Sequence, residues 1–288
     1  MILFVGNSFT YGFGSPVRFY RADSVVDLNN EGIGGVPALF KSFTLQSGLT
    51  YDVYLETHPG VGLNWHVDNK LAKITAQRWD QVVLQGYSTL DPKNPGNPTV
   101  QTRAVATLAA ALRRASPAVK IHVTATWPRA DEVYDSRGHW YGKTVEIMAD
   151  DLQAGTEKAT EMDPSVKDIV PVGSAWVRAF RSGFADANPY DGIEPGKVDL
   201  WTFDHFHASV FGYYLEALVL FGTITGHDPR ELGASECSGF ELGLSMDQVG
   251  ALQKIAFEQL ASGRSIARVA DDAKLKRDPQ RCGATLER

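Results

Sequence analysis

Short apolar runs alternate with longer amphipathic segments along this chain. The runs "ILFVG" (2–6), "TYDVYLET" (50–57), "WDQVVLQG" (79–86), "VKIHVTATW" (119–127) and "KDIVPVG" (167–173) are bounded by turn residues and read as strands buried on both faces. Between them the period changes to that of a helix. In "NPTVQTRAVATLAAALRRASP", Ala104, Leu108 and Leu112 recur every fourth residue beside Val105 and Ala109, which makes one apolar face. Pro98 can open that helix and Pro117 closes it. In "GKTVEIMADDLQAGTEKATEMDP", Val145, Met148, Leu152 and Ala159 form a similar stripe. Strands alternating with helices predict right-handed crossovers and a parallel sheet covered on both sides. The expected fold is α/β, a three-layer α/β/α sandwich of flavodoxin-like type around a central, mostly parallel five-stranded sheet. Residues 1–232 are expected to form the main domain. Residues 233–288 then add a helical extension on the same domain: "SMDQVGALQKIAFEQLASG" reads as one more helix, and the charged segment after it as a weakly ordered tail.

Composition narrows the partners. The chain has 288 residues, 43% of them hydrophobic, enough to bury a full core, and its formal charge of -6 argues against a polyanionic partner. No nucleic acid is expected. The longest apolar stretch, "VFGYYLEALVLFGTITG", is broken by Glu216 and glycines and falls short of the roughly 20 residues a membrane span needs. A buried helix is the better reading. Cys237 and Cys282 are the only cysteines, too few for a disulfide framework or a zinc cage, so they either form one late disulfide or stay as thiols. The chain enters its first strand at Ile2, with no signal peptide before it; the expectation is an extracytoplasmic protein with its export signal trimmed, and a cytoplasmic one otherwise. A monomer without a cofactor is expected.

In open α/β sheets the site lies outside the carboxyl ends of the strands, which reduces the search to the loops after residues 6, 57, 86, 127 and 173 and whatever the C-terminal part brings there. Ser8 directly follows the first strand; it either caps the next helix or serves as a nucleophile at the positive helix start. A phosphate-loop reading of the same glycine-rich stretch lacks the required Lys. A serine nucleophile needs a base with a held tautomer. "WTFDHFHASVFGYYLEA" offers Asp204 and His207 three residues apart, a carboxylate able to orient an imidazole locally, or else two ordinary turn and helix-start residues. In "THPGVGLNWH", Gly60 and Gly62 either present bare N–H groups to an oxyanion or make a turn. After the third run, "LQGYSTLDP" contributes Gln85 and Ser88 as polar candidates. Two rival chemistries use the same residues. "GYSTL" half-resembles the GxSxG elbow, with Ser88 as nucleophile but Leu90 in place of the last glycine. A metal hydrolase would use Asp204, His205 and His207, with His58 or His66, although no established ligand spacing is present. Trp65, Tyr87, Trp127, Trp140 and Trp201 are candidates for stacking on sugar rings, in an enzyme or in a carbohydrate-binding protein without activity.

Taken together, these blocks resemble the SGNH or GDSL hydrolase superfamily of serine esterases. "GNSFTYG" matches its first block, "HPGVGL" the second, the turn after "VVLQ" the third and "DHFH" the last, across residues 2–230. The similarity is greatest to a branch that opens with GNSFT, carries LxxH after its glycine-rich turn, and closes with DxxH, a YLEA-type helix and "TGHDP". The resemblance implies Ser8 as nucleophile, His207 as general base, Asp204 as its partner, and the N–H groups of Ser8 and Gly60 as two arms of the oxyanion hole. It also implies a small-molecule or glycan ester as substrate. Two departures stand out. Asn7 occupies the position of the family's Asp, as in this branch, and the third block lacks the usual Asn. Gln85 is the expected replacement donor, with Ser88, which fills the vacant slot, as the alternative. His66 matches the LxxH of the branch, without an assigned role.

Overall fold

The computed structural model describes residues 1–163 and 166–263. The chain runs β1 (Ile2–Gly6), α1 (Ser8–Tyr11), β2 (Val26–Asp27), α2 (Gly35–Gln46), β3 (Val53–Thr57), α3 (Leu63–Ile74), β4 (Gln81–Leu84) and α4 (Thr99–Ala115). It continues through β5 (Lys120–Ala125), α5 (Ala130–Tyr134), α6 (Val145–Met162), β6 (Val166–Pro171), α7 (Val172–Arg181), α8 (Val210–Thr225), α9 (Cys237–Glu241) and α10 (Met246–Ser262).

The six strands form one parallel sheet in the order β2-β3-β1-β4-β5-β6. The α/β sandwich is as expected, but the sheet has six strands rather than five. The extra strand, β2, pairs only Val26 and Asp27 with Tyr54 and Leu55 at the sheet edge. A two-residue strand carries no periodicity by which to find it.

Alternation along each strand sorts side chains into two cores. Ile2 and Phe4 of β1 join Val53 and Leu55 of β3 in the larger core, with α2, α7, α8 and α10. Leu3 and Val5 point the other way, with Val82, Leu84, Ile121 and Val123, against the Leu63 end of α3 and the Ala104–Val105–Leu108–Ala109–Leu112 face of α4. The apolar run that became α8 is buried along Gly212–Thr223, and no described helix is long and apolar enough to cross a membrane. Residues after 232 belong to the same core: Val249, Leu252, Ile255, Ala256 and Leu260 of α10 are buried in the larger cluster. Ser245 and Gln248 form the capping box that starts α10. The expected tail and Cys282 lie outside the described residues, and Cys237 is buried.

β1 is central, with β3 on one side and β4 on the other. The chain leaves β1 toward the β2 edge and, after β3, crosses back past β1 to β4, so the crevice of the sheet opens at the carboxyl end of β1. Ser8 stands there.

Candidate active site

The turn after β1 is built by Asn7. Its side-chain oxygen accepts from the Phe9 N–H at 3.0 Å and caps the short α1, which ends at Gly12 with φ +82. Its side-chain nitrogen donates to the carbonyls of Val61 (2.8 Å) and Gly86 (3.0 Å). One amide therefore ties the first, second and third loops together. The Ser8 hydroxyl is released from capping, and the Ser8 N–H, in the first turn, has no partner among the described residues.

The loop carrying Asp204 and His207 is closed at its base by a bridge between Trp201 and Ala208 and by the Thr202 N–H to the His207 carbonyl at 2.8 Å. Asp204 has two tasks. Its Oδ1 accepts from the backbone N–H of Phe206 (3.0 Å) and His207 (2.8 Å), while its Oδ2 lies 2.6 Å from His207 Nδ1. The one carboxylate thus closes its own turn and hydrogen-bonds the imidazole. Burial pushes its carboxyl up, but the imidazole and two backbone donors outweigh burial and bring it down to about 2. The other ring nitrogen of His207, Nε2, lies 2.9 Å from Ser8 Oγ. With the carboxylate accepting at Nδ1, Nε2 is left to accept the serine proton.

Aromatic packing fixes this chain of three groups. Phe9 stacks on Trp127 at 3.9 Å, Trp127 stacks on Trp176 at 5.0 Å, and the Trp127 indole donates to the Phe206 carbonyl at 3.1 Å. The Tyr213 hydroxyl of α8 lies within reach of the carbonyls of Ser8 (3.2 Å) and Phe13 (3.1 Å). Phe13 and Phe206 flank the His207 ring at 4.5 and 4.1 Å.

The other candidates are placed as follows. Gly60 is exposed at φ +70, with open space where a side chain would start, so the loop needs its positive φ and its N–H has no partner among the described residues. Gly62 lets the Tyr87 ring lie against the backbone, where a Cβ would come within 2.3 Å of it. Gln85 is corrected. Its amide oxygen accepts from the Asn7 N–H (3.0 Å) and the Thr10 hydroxyl (3.0 Å), and its nitrogen donates to the Gly86 carbonyl, so the group braces the turn instead of facing the crevice. Ser88 Oγ accepts from Arg129 at 3.3 Å, and its hydroxyl hydrogen has no acceptor among the described residues. Arg129 lies over the Phe206 ring at 3.7 Å and is held by Asp131 and Glu132. Arg129 and Tyr213 were not singled out from the sequence, and Asn7 was noted there only as a departure from the family's first block, with no role. Asn7 had a local signal as a good cap before a short helix, whereas Arg129 and Tyr213 had none.

The rivals lack their geometry. Ser88 lies in a loop well before α4 begins at Thr99, not on a strand-to-helix elbow. The metal reading is corrected: among the described residues no group of three or more His, Cys, Asp and Glu is placed to hold a metal ion. His66 has both nitrogens engaged by Glu56 and Gly6. Of the five aromatic residues proposed for sugar stacking, Trp127, Trp140 and Trp201 are core. Trp65 and Tyr87 keep accessible surface at the site loops, with Trp65 stacked on His58 at 4.2 Å.

Comparison with solved structures places the architecture. A DUF4886 family protein from Bacteroides uniformis superposes with a TM-score of 0.66 at 17% identity, covering 96% of this chain and 98% of that one. A GDSL-like lipase from Parabacteroides merdae, so described provisionally, gives a TM-score of 0.54 at 18% identity over 78% of this chain and 94% of its own. A protein from Slackia heliotrinireducens, described provisionally as an SGNH hydrolase, gives 0.51 at 23% identity over 77% and 97%. No protein-family model and no curated protein sequence matches the chain. The chain has the fold of the SGNH/GDSL hydrolases.

Proposed function

We propose that the protein is a serine-dependent carboxylic ester hydrolase working through an acyl-enzyme on Ser8. The observation that carries this reading is the unbroken chain from Asp204 to His207 (2.6 Å) to Ser8 (2.9 Å) at the carboxyl end of the central strand. His207 Nε2 takes the hydroxyl proton as Ser8 Oγ attacks the ester carbonyl, then gives it to the leaving alcohol as the tetrahedral intermediate collapses. Water enters, loses its proton to the same nitrogen, and attacks the acyl-enzyme; the proton returns to Ser8 as the acid leaves. Asp204 holds the imidazole tautomer throughout.

The N–H groups of Ser8 and Gly60 supply two oxyanion donors. Ser88 supplies the third: because its oxygen accepts from Arg129, its own hydrogen is free to point at the developing charge. The substrate fits a short acyl ester on a carbohydrate, with Trp65 and Tyr87 as the ring-stacking surface.

Labelling with a fluorophosphonate tests the reading. Ser8→Ala should abolish labelling, while Ser88→Ala should keep it and lower kcat by about 10² to 10³. Labelling that survives in Ser8→Ala would overturn the proposal. Glycan binding with no turnover of p-nitrophenyl acetate or of an O-acetylated oligosaccharide would assign the fold to a binding protein instead.

A further inference from the structure

A second carboxylate–histidine pair lies one layer beneath Ser8. Glu56 is on β3, paired in register with Val5, and His66 is on the second turn of α3. Both side chains have zero exposure. His66 Nδ1 is 2.5 Å from Glu56 Oε2, and Nε2 is 3.0 Å from the Gly6 carbonyl oxygen. A carbonyl can only accept, so Nε2 carries a proton and the ring donates to the last residue of β1. The other oxygen of Glu56 accepts from Asn29 Nδ2 at 3.0 Å and lies 3.6 Å from Lys70 Nζ. The ring orientation is therefore set from behind by Glu56, itself held by these two further groups.

Gly6 and Asn7 share one peptide plane, and that plane is gripped at both ends. His66 holds its C=O, and Gln85 holds its N–H at 3.0 Å. The His58 N–H adds a second donor to the same carbonyl at 3.1 Å. Ser8 is the next residue. Any rotation of this plane swings both the Ser8 hydroxyl and the Ser8 N–H, the two groups that must face the substrate together.

We propose that His66, oriented by Glu56, is a positioning residue for the nucleophile, acting through the Gly6–Asn7 peptide. This rests on Ser8 being the nucleophile, as argued above. A buried histidine pair serving packing alone could end on any acceptor in the core; this one ends on the peptide that launches the serine. Misplacing a reacting group by about 1 Å costs on the order of 10²-fold in rate, which sets the expected effect.

The test compares wild type, His66→Leu, His66→Asn and His66→Gln by fluorophosphonate labelling rate and by kcat and KM on p-nitrophenyl acetate, with thermal unfolding to verify folding. The Gln amide nitrogen reaches the position of His66 Nε2 and can donate to Gly6, whereas the shorter Asn amide reaches only that of Nδ1, toward Glu56. The Leu and Asn variants should lose about 10²-fold in kcat with KM unchanged, and Gln should recover to within about tenfold of wild type. If the Leu variant does not fold, the Gln–Asn contrast decides. Equal rates in the Gln and Asn variants overturn the proposal, whether both match wild type or both are equally impaired. Wild-type labelling at a residue other than Ser8 removes the nucleophile and this inference with it. Labelling at Ser8 that is insensitive to His66 removes this inference alone.

Discussion

Two carboxylate–histidine pairs meet the turn that carries Ser8, and they differ in what the far nitrogen meets. Asp204–His207 is partly exposed, formed within one turn, and ends on a hydroxyl. Glu56–His66 is wholly buried, formed between a strand and a helix, and ends on a backbone carbonyl. A hydroxyl can give up its proton, so His207 can act as a base; a carbonyl cannot, so His66 can only hold. On the proposed reading, a carboxylate and a histidine serve chemistry in one pair and support in the other, according to the partner they meet.

The comparison breaks most visibly in the rates. His207→Ala should lower kcat by about 10⁶-fold, and Asp204→Asn, which preserves shape but not the tautomer, by about 10⁴-fold, measured on p-nitrophenyl acetate. Both should lower the unfolding temperature less than loss of the wholly buried Glu56 does, because Asp204 is partly exposed. Stability should show the reverse order. Glu56→Leu leaves His66 buried without its carboxylate and should destabilise by about 3 to 5 kcal/mol in urea unfolding. An Asp204→Asn variant as unstable as Glu56→Leu would erase the distinction.

Acid gives the smallest effect. The folded Asp204 carboxyl is held at about 2, below its ordinary value, so its contribution to stability is complete above an unfolded value of about 4 and is lost as pH falls through about 2. Scanning calorimetry between those limits should show a falling transition temperature in wild type. The Asp204→Asn curve should be flatter over the same range.

Legibility followed locality. Asp204 and His207 are three residues apart in one turn, so their pairing follows from the local chain, and the strand runs located the loop holding Ser8 before any coordinates. The hydrogen bonds of Gln85 were not legible, because a residue at a strand end faces either the crevice or the neighbouring turn; the Asn7 N–H and the Thr10 hydroxyl take its oxygen. Three of the five aromatic residues considered for ligand stacking proved to be core, since composition does not say which side of a loop a large ring takes. β2 was missed because its two residues are paired only by the edge of β3.

The sequence by itself determined the alternation of strands and helices and the residue types able to attack, accept a proton and orient a ring. These depend on neighbours within a turn or a strand period. Only the tertiary structure decided that His207 meets Ser8 across 199 positions of chain, that one Asn7 amide joins three loops, and that His66 ends on Gly6 rather than on a substrate. Those contacts arise where the parallel sheet gathers strand ends distant in sequence, and a hydrogen-bonding group takes its role from whatever partner that gathering sets opposite it.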